Sequence, residues 1–291
     1  MKISSESLGG WWQRRPFTRA AALAVALSCS LPVAHAREGV EVGGNSVLSN
    51  LVPAETVERS AAQQYGQMLS QASDKRALAP KDNAQVVRLR AIAQRLIPFA
   101  LDWNPRARNW QWEVNLIGSS QINAFCMPGG KIAFYTGILE KLQLTDDEVA
   151  MVMGHEVAHA LREHARERMA KGTATNVIAR IGGALAASYF GIDSRITDGV
   201  ARGGANLLTL EFSREDESEA DLVGMELAAR AGFDPRSGVT LWKKMGAANK
   251  GAPPQWLSTH PAGTRRIADI EANLPKVMPL YERARKAAGG R

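Results

Sequence analysis

Gly154-His155-Glu156-Val157-Ala158-His159 is the stretch on which the reading of this chain turns. Upstream of it, Thr145 and Glu148 form a T-x-x-E capping box, a start signal for a helix. Val149, Val152, Met153, Val157, Ala160 and Leu161 then recur at helical spacing, which predicts one long helix from Thr145 to Lys171. On such a helix His155 and His159 lie one turn apart and roughly 40° around the axis, so two imidazoles can share a tetrahedral ion. Glu156 points about 100° away, near that ion but free to handle protons. The pattern is H-E-x-x-H, a spacing that suits zinc.

A third ligand is expected from the helix that starts near Phe212 and stops near Gly232. Glu217, Ala220, Asp221, Gly224, Ala228 and Ala231 share one face, and small residues there would let this helix press closely on the first. Glu219 falls with Glu226 and Arg230 on a stripe read as more solvated. Glu217 is therefore the expected ligand. Asp221, one turn on, can accept a hydrogen bond from a ligating histidine. His164 falls about 180° from His155 on a continuous helix and faces away. That leaves His260 as the imidazole available for catalysis.

The chain has 291 residues, 45% of them hydrophobic, enough for a sizeable core. Residues 1–36 are read as a cleavable export signal. Lys2, Arg14, Arg15 and Arg19 lead into the apolar run Ala20 to Leu31, and Ala34-His35-Ala36 forms an A-x-A site. Arg14-Arg15-Pro16-Phe17 resembles a twin-arginine core, and lipid attachment at Cys29 is the alternative. The expected location is the periplasm. The formal net charge is +7, and the signal carries four basic residues against one acidic. The mild excess that remains gives no reason to expect nucleic acid as a partner. Beyond the signal Cys126 is the only cysteine, so no disulfide can form within the mature chain.

Residues 37–80 are read as a flexible N-terminus followed by a peripheral helix from Glu58 to Ala77. The main domain is expected over 81–275. Val86, Val87, Leu89, Ile92, Ala93, Leu96 and Ile97 stripe a helix. Three extended pieces follow, Trp110 to Ile117, Gln121 to Met127 and Lys131 to Thr136, with Pro128-Gly129-Gly130 as a turn. Val177 to Phe190 is apolar but too short to span a bilayer; it is read as a packed helix, with a lid or peripheral membrane contact as alternatives. A short helix stopped by Pro275 and a basic tail over 276–291 complete the expectation. The fold class is α+β and mostly helical.

Taken together, these residues resemble the membrane-linked zinc metallopeptidases, the family that includes the CAAX prenyl-protein endopeptidase, HtpX and BepA. The likeness rests on Asn123-Ala124-Phe125 with Pro128-Gly129-Gly130, on the H-E-x-x-H stretch, on Glu217-Ser218-Glu219-Ala220-Asp221, and on His260-Pro261 with Arg266-Ile267. It implies a zincin-type domain whose small sheet turns an edge strand to the active-site cleft, with Asn123, Ala124 and Phe125 on that strand holding substrate. It agrees with one Zn²⁺ held by His155, His159 and Glu217, with Asp221 behind them and Glu156 as general base. It also implies that His260 and Arg266 stabilise the transition state or gate the zinc. The chain departs from the family in lacking the several membrane spans of some members and the helical repeat domain of BepA. The expectation is an exported endopeptidase acting on unfolded or misassembled envelope polypeptides, outer-membrane proteins among them. A chaperone or assembly factor that cuts little, and a zinc hydrolase with a non-peptide substrate, are the competing readings.

Overall fold

The computed structural model describes residues 37–172, 207, 210–248, 255–260 and 265–289. The expected export signal with Cys29, the apolar run 177–190 and Pro261 lie outside them. The first helix, α1 (Ala54–Asp74), is followed by α2 (Ala84–Leu96), whose first turn is capped by Asn83. Three strands come next: β1 (Glu113–Ile117), β2 (Ala124–Met127) and β3 (Lys131–Tyr135). The sheet order is β1-β3-β2, with β1 and β3 parallel and β2 and β3 antiparallel. Gly129 and Gly130 both take positive φ in the β2–β3 connection, a conformation that favours residues without a Cβ. β2 is one edge of the sheet and β1 the other.

Alternation along the strands divides the core. Val114, Leu116, Cys126, Ile132 and Phe134 pack into the main cluster with the helices. Ile117, Met127 and Ala133 meet Val57, Ala61 and Tyr65 of α1 on the opposite face. The Tyr65 hydroxyl donates to the Ile132 carbonyl at 2.5 Å. α1 is therefore not peripheral: it closes the second face of the sheet. Nor are the residues before it loose. Val40 is buried, and its N–H donates to the fully buried Glu226 carboxylate at 2.8 Å. Covered in this way, Glu226 is not on a solvated stripe.

The remaining helices are α3 (Thr136–Leu142), α4 (Asp146–Leu161), α5 (Arg214–Arg230), α6 (Ser237–Ala248), α7 (Gln255–Thr259) and α8 (Arg266–Gly289). α4 is the central rod, with every residue from Glu148 to Leu161 buried. It ends earlier than its periodicity predicts. Glu163 takes φ 59°, and residues 164–172 resume as a separate helical piece. At the other end of the chain, the expected stop at Pro275 does not occur. α8 runs through Pro275 and Pro279, and buried Ile270, Val277 and Leu280 carry its apolar stripe past both. Packing of that stripe outweighs the two missing N–H donors. The expected basic tail is thus helical to Gly289.

Candidate metal centre

Thr145 and Glu148 make the reciprocal capping box that starts α4. Ser213 and Asp216 do the same for α5. Both caps set helical phase, so side chains one or more turns later point where the spacing requires. The two helices then meet backbone to backbone. A Cβ on Gly224 would come within 2.5 Å of the His155 nitrogen, and one on Gly154 within 2.6 Å of the Gly224 carbonyl oxygen. Only glycine fits at such an approach.

That contact brings four buried groups together. The Nε2 atoms of His155 and His159 are 3.0 Å apart. Glu217 Oε2 lies 3.6 Å from the first and Oε1 3.4 Å from the second. His260 Nδ1 is 3.3 Å from His155 Nε2 and 2.9 Å from Glu217 Oε1. All four ligand atoms lie within 4.8 Å of one another. For ligands about 2.0–2.1 Å from a tetrahedral ion the edges are about 3.3 Å, so the set has the size and donor chemistry to hold one ion. His260 stands at the fourth corner.

Surrounding groups fix these four. Asp221 Oδ1 is 3.0 Å from His155 Nδ1. Arg266 donates to both Asp221 oxygens, at 2.5 and 2.6 Å, and to Glu217 Oε2 at 2.5 Å. Its guanidinium also lies 3.7 Å over the Trp242 ring. Arg266 thus braces the carboxylates from behind, and it is not among the residues lining the cleft. Two buried carboxylates, Asp221 and Glu217, hold the cation where it is.

Electrostatics follow from this packing. Burial pushes the Glu217 carboxyl up, but hydrogen bonds from His159 and His260 outweigh it and hold the group far below the ordinary range. Asp221 is likewise pushed up by burial and brought below its usual value by the Arg266 charge. Burial drives the His159 imidazole down. For His260 burial acts in the same direction, yet Glu156 and Glu217 overcome it and the imidazole is raised.

Glu156 is also buried, and the Trp256 indole N–H donates to its Oε1 at 2.6 Å. Trp256 in turn stacks on His260, with ring centroids 4.9 Å apart. A cavity of about 390 Å³ opens beside these groups. Ala124 and Phe125 of β2, with Asn123 just before it, line the cavity opposite Glu156, His159 and His260. Cys126 lines the same wall, and burial pushes its thiol up.

Sequence reasoning missed two features. Trp256 carries no motif that ties it to Glu156. His164, expected to face away, is buried against His159, with Nδ1 atoms 2.9 Å apart. The turn at Glu163 reverses its direction, and no glycine marks that turn.

The family model "Peptidase family M48" matches residues 83–274. The mitochondrial metalloendopeptidase OMA1 of Schizosaccharomyces pombe is 31% identical over 227 residues, 77% of this chain and 63% of the relative. Metalloprotease LoiP of Escherichia coli is 28% identical over 208 residues, 72% of this chain and 78% of LoiP. The beta-barrel assembly-enhancing protease of the same organism is 28% identical over 173 residues, 57% of this chain and 35% of that protease. The chain spans less than two thirds of the length of the mitochondrial relatives. With a matched region that contains the whole cluster, the chain belongs to Peptidase family M48, and its domain is a metalloendopeptidase domain.

Proposed function

We propose that the chain is a zinc-dependent endopeptidase of the cell envelope, cutting unfolded or misassembled polypeptides bound along the edge of β2. One observation carries the reading: His155, His159 and Glu217, from two helices locked by a glycine contact, converge beside a cleft that also contains Glu156 and an open strand edge. Two neutral imidazoles and a carboxylate are a donor set suited to Zn²⁺. A zinc ion held there would supply the positive charge that makes an attacking water acidic and stabilises a developing oxyanion.

The residues divide the remaining work. Glu156 accepts the proton of the water as its oxygen attacks the peptide carbonyl carbon. It then passes that proton to the nitrogen as the C–N bond breaks, leaving a carboxylate and an amine. Trp256 holds the Glu156 carboxylate in place through its indole N–H. Asp221 and Arg266 keep His155 and Glu217 fixed during the reaction. The backbone of Asn123 and of Ala124 and Phe125 at the start of β2 pairs with an extended substrate, as an added strand. His260, held against Glu217, would move off that carboxylate to make room for substrate and would then donate to the developing oxyanion.

Residues 1–36 direct export to the periplasm in this reading, and the likeness to the beta-barrel assembly-enhancing protease supports beta-barrel proteins under assembly among the substrates. Among the described residues no helix is long and apolar enough to cross a membrane.

Glu156→Gln tests the mechanism. The variant should keep its zinc and its peptide binding while digestion of an unfolded protein falls by about 10²–10⁴-fold. Digestion at the wild-type rate would sink the assignment of the base, and a wild type that binds but never cuts would favour a chaperone. Mass spectrometry of the protein recovered from the periplasm should find Arg37 at its N-terminus.

A further inference from the structure

The break after α4 has a chemical consequence. A helix continued through Arg162 and Glu163 would place His164 opposite His155. Instead Glu163 adopts the left-handed conformation, which is disfavoured for a residue other than glycine, and His164 returns against His159. Its Nδ1 lies 2.9 Å from His159 Nδ1, and its Nε2 lies 2.9 Å from Glu219 Oε2. Glu219 is held in turn by Arg162, through Nε at 2.8 Å and a terminal nitrogen at 2.6 Å. Arg162 also donates to the Gly43 carbonyl, which ties this corner to the N-terminal segment.

We propose that His164 is a positioning residue for His159, and that His164, Glu219 and Arg162 form a hydrogen-bonded arm that fixes the ring and tautomer of this ligand. The inference rests on the reading of His159 as a metal ligand. Of two imidazole nitrogens 2.9 Å apart, one donates and the other accepts. An imidazole that offers the Nε2 lone pair to an ion carries its proton on Nδ1, so His159 donates and His164 accepts. His164 then has its own proton on Nε2, which it donates to the Glu219 carboxylate. Each proton has one place, and Arg162 holds the end of the arm.

The arrangement parallels the other ligand without copying it. His155 meets a carboxylate directly, with Asp221 braced by Arg266. His159 meets its carboxylate one imidazole further out, braced by Arg162. Groups that orient a ligating histidine commonly contribute about 10–100-fold to metal affinity.

The test measures zinc affinity by chelator competition in the full chain, beside the melting temperature of the metal-free protein. His164→Leu, which keeps bulk but cannot hydrogen-bond, should weaken zinc binding by about 10–100-fold. His164→Gln can accept from His159 through its carbonyl and donate to Glu219 through its amide, and should restore affinity to within about threefold of wild type. Wild-type affinity in His164→Leu overturns the proposal. So does His164→Gln binding as weakly as His164→Leu, because packing alone would then account for the loss. If His164→Leu fails to fold, Glu219→Gln tests the same arm: it should weaken binding by about threefold or more, and wild-type affinity overturns the idea. His159→Ala is run alongside. If it retains zinc, the ligand assignment itself is wrong; if it alone loses zinc, only the role of His164 is.

Discussion

The chemistry of individual residues at this site depends on what each side chain touches. Glu156 between two histidines is visible in the primary structure; the indole that holds it is not, because Trp256 lies a hundred positions away on a five-residue helix. Trp256→Phe keeps the ring against His260 and deletes the donor. A hydrogen bond to a charged group is worth about 1.5–3 kcal/mol, so kcat should fall by about tenfold or more with zinc content unchanged. Unchanged kcat would mean that the bond is lost before the reacting complex forms. Glu217 was legible by a different route. The small residues sharing its face imply close helix packing, and Gly224 against Gly154 is that packing. Arg266 was legible as a site residue but its partners were not, because two carboxylates from another helix decide where the guanidinium sits.

Between elements, precision comes from main-chain contact and from caps. Gly224→Ala would force its Cβ against the backbone of His155. Overpacking of this kind typically costs about 1–3 kcal/mol, and the spreading of α4 from α5 should weaken zinc binding as well. A variant with wild-type melting temperature and metal affinity would show that the helices can slide without consequence. At the start of α4, Glu148 is almost fully buried and accepts hydrogen bonds from the Thr145 N–H, Thr240 and Lys244. Burial pushes its carboxyl up, but Lys244 and the two other donors outweigh this and hold it below its ordinary 4.5. Its stabilising contribution is therefore complete above about pH 4.5 and is lost as pH falls through the lower folded value. The gap in melting temperature between wild type and Glu148→Gln should be widest near neutrality and shrink in acid; a gap constant from pH 3 to 7 would rule this out. Caps and periodicity made these helices readable. Periodicity could not reveal the break at Glu163, where tertiary partners stabilise a left-handed residue that the local sequence disfavours.

For the molecule as a whole, an ion at the cluster would connect α4, α5 and the segment around His260, which are far apart in sequence and close in space. Binding to the folded state alone raises stability by about 2.7 kcal/mol at a hundredfold excess over Kd. Chelation should therefore lower the melting temperature of wild type and Glu156→Gln alike, and leave His155→Ala unmoved. An equal drop in His155→Ala would place the stabilising metal elsewhere. Large-scale features were the least legible. The sheet was read as three extended pieces in the correct places, but its order comes from long-range pairing that no local pattern encodes. α1 was expected to be peripheral, and only the structure shows its apolar side sealing the sheet.

The stretch from Glu38 to Gly43 ties itself to the back of both ligand-bearing helices. Arg230 takes the Glu38 carbonyl, Glu226 the Val40 amide and Arg162 the Gly43 carbonyl. Trimming a recombinant version to begin at α1 would therefore strip the cover from a wholly enclosed acid and leave two guanidinium groups short of an acceptor. Affinity handles belong upstream of Glu38 or after Gly289, and a shortened version that precipitates would say nothing against the enzyme itself.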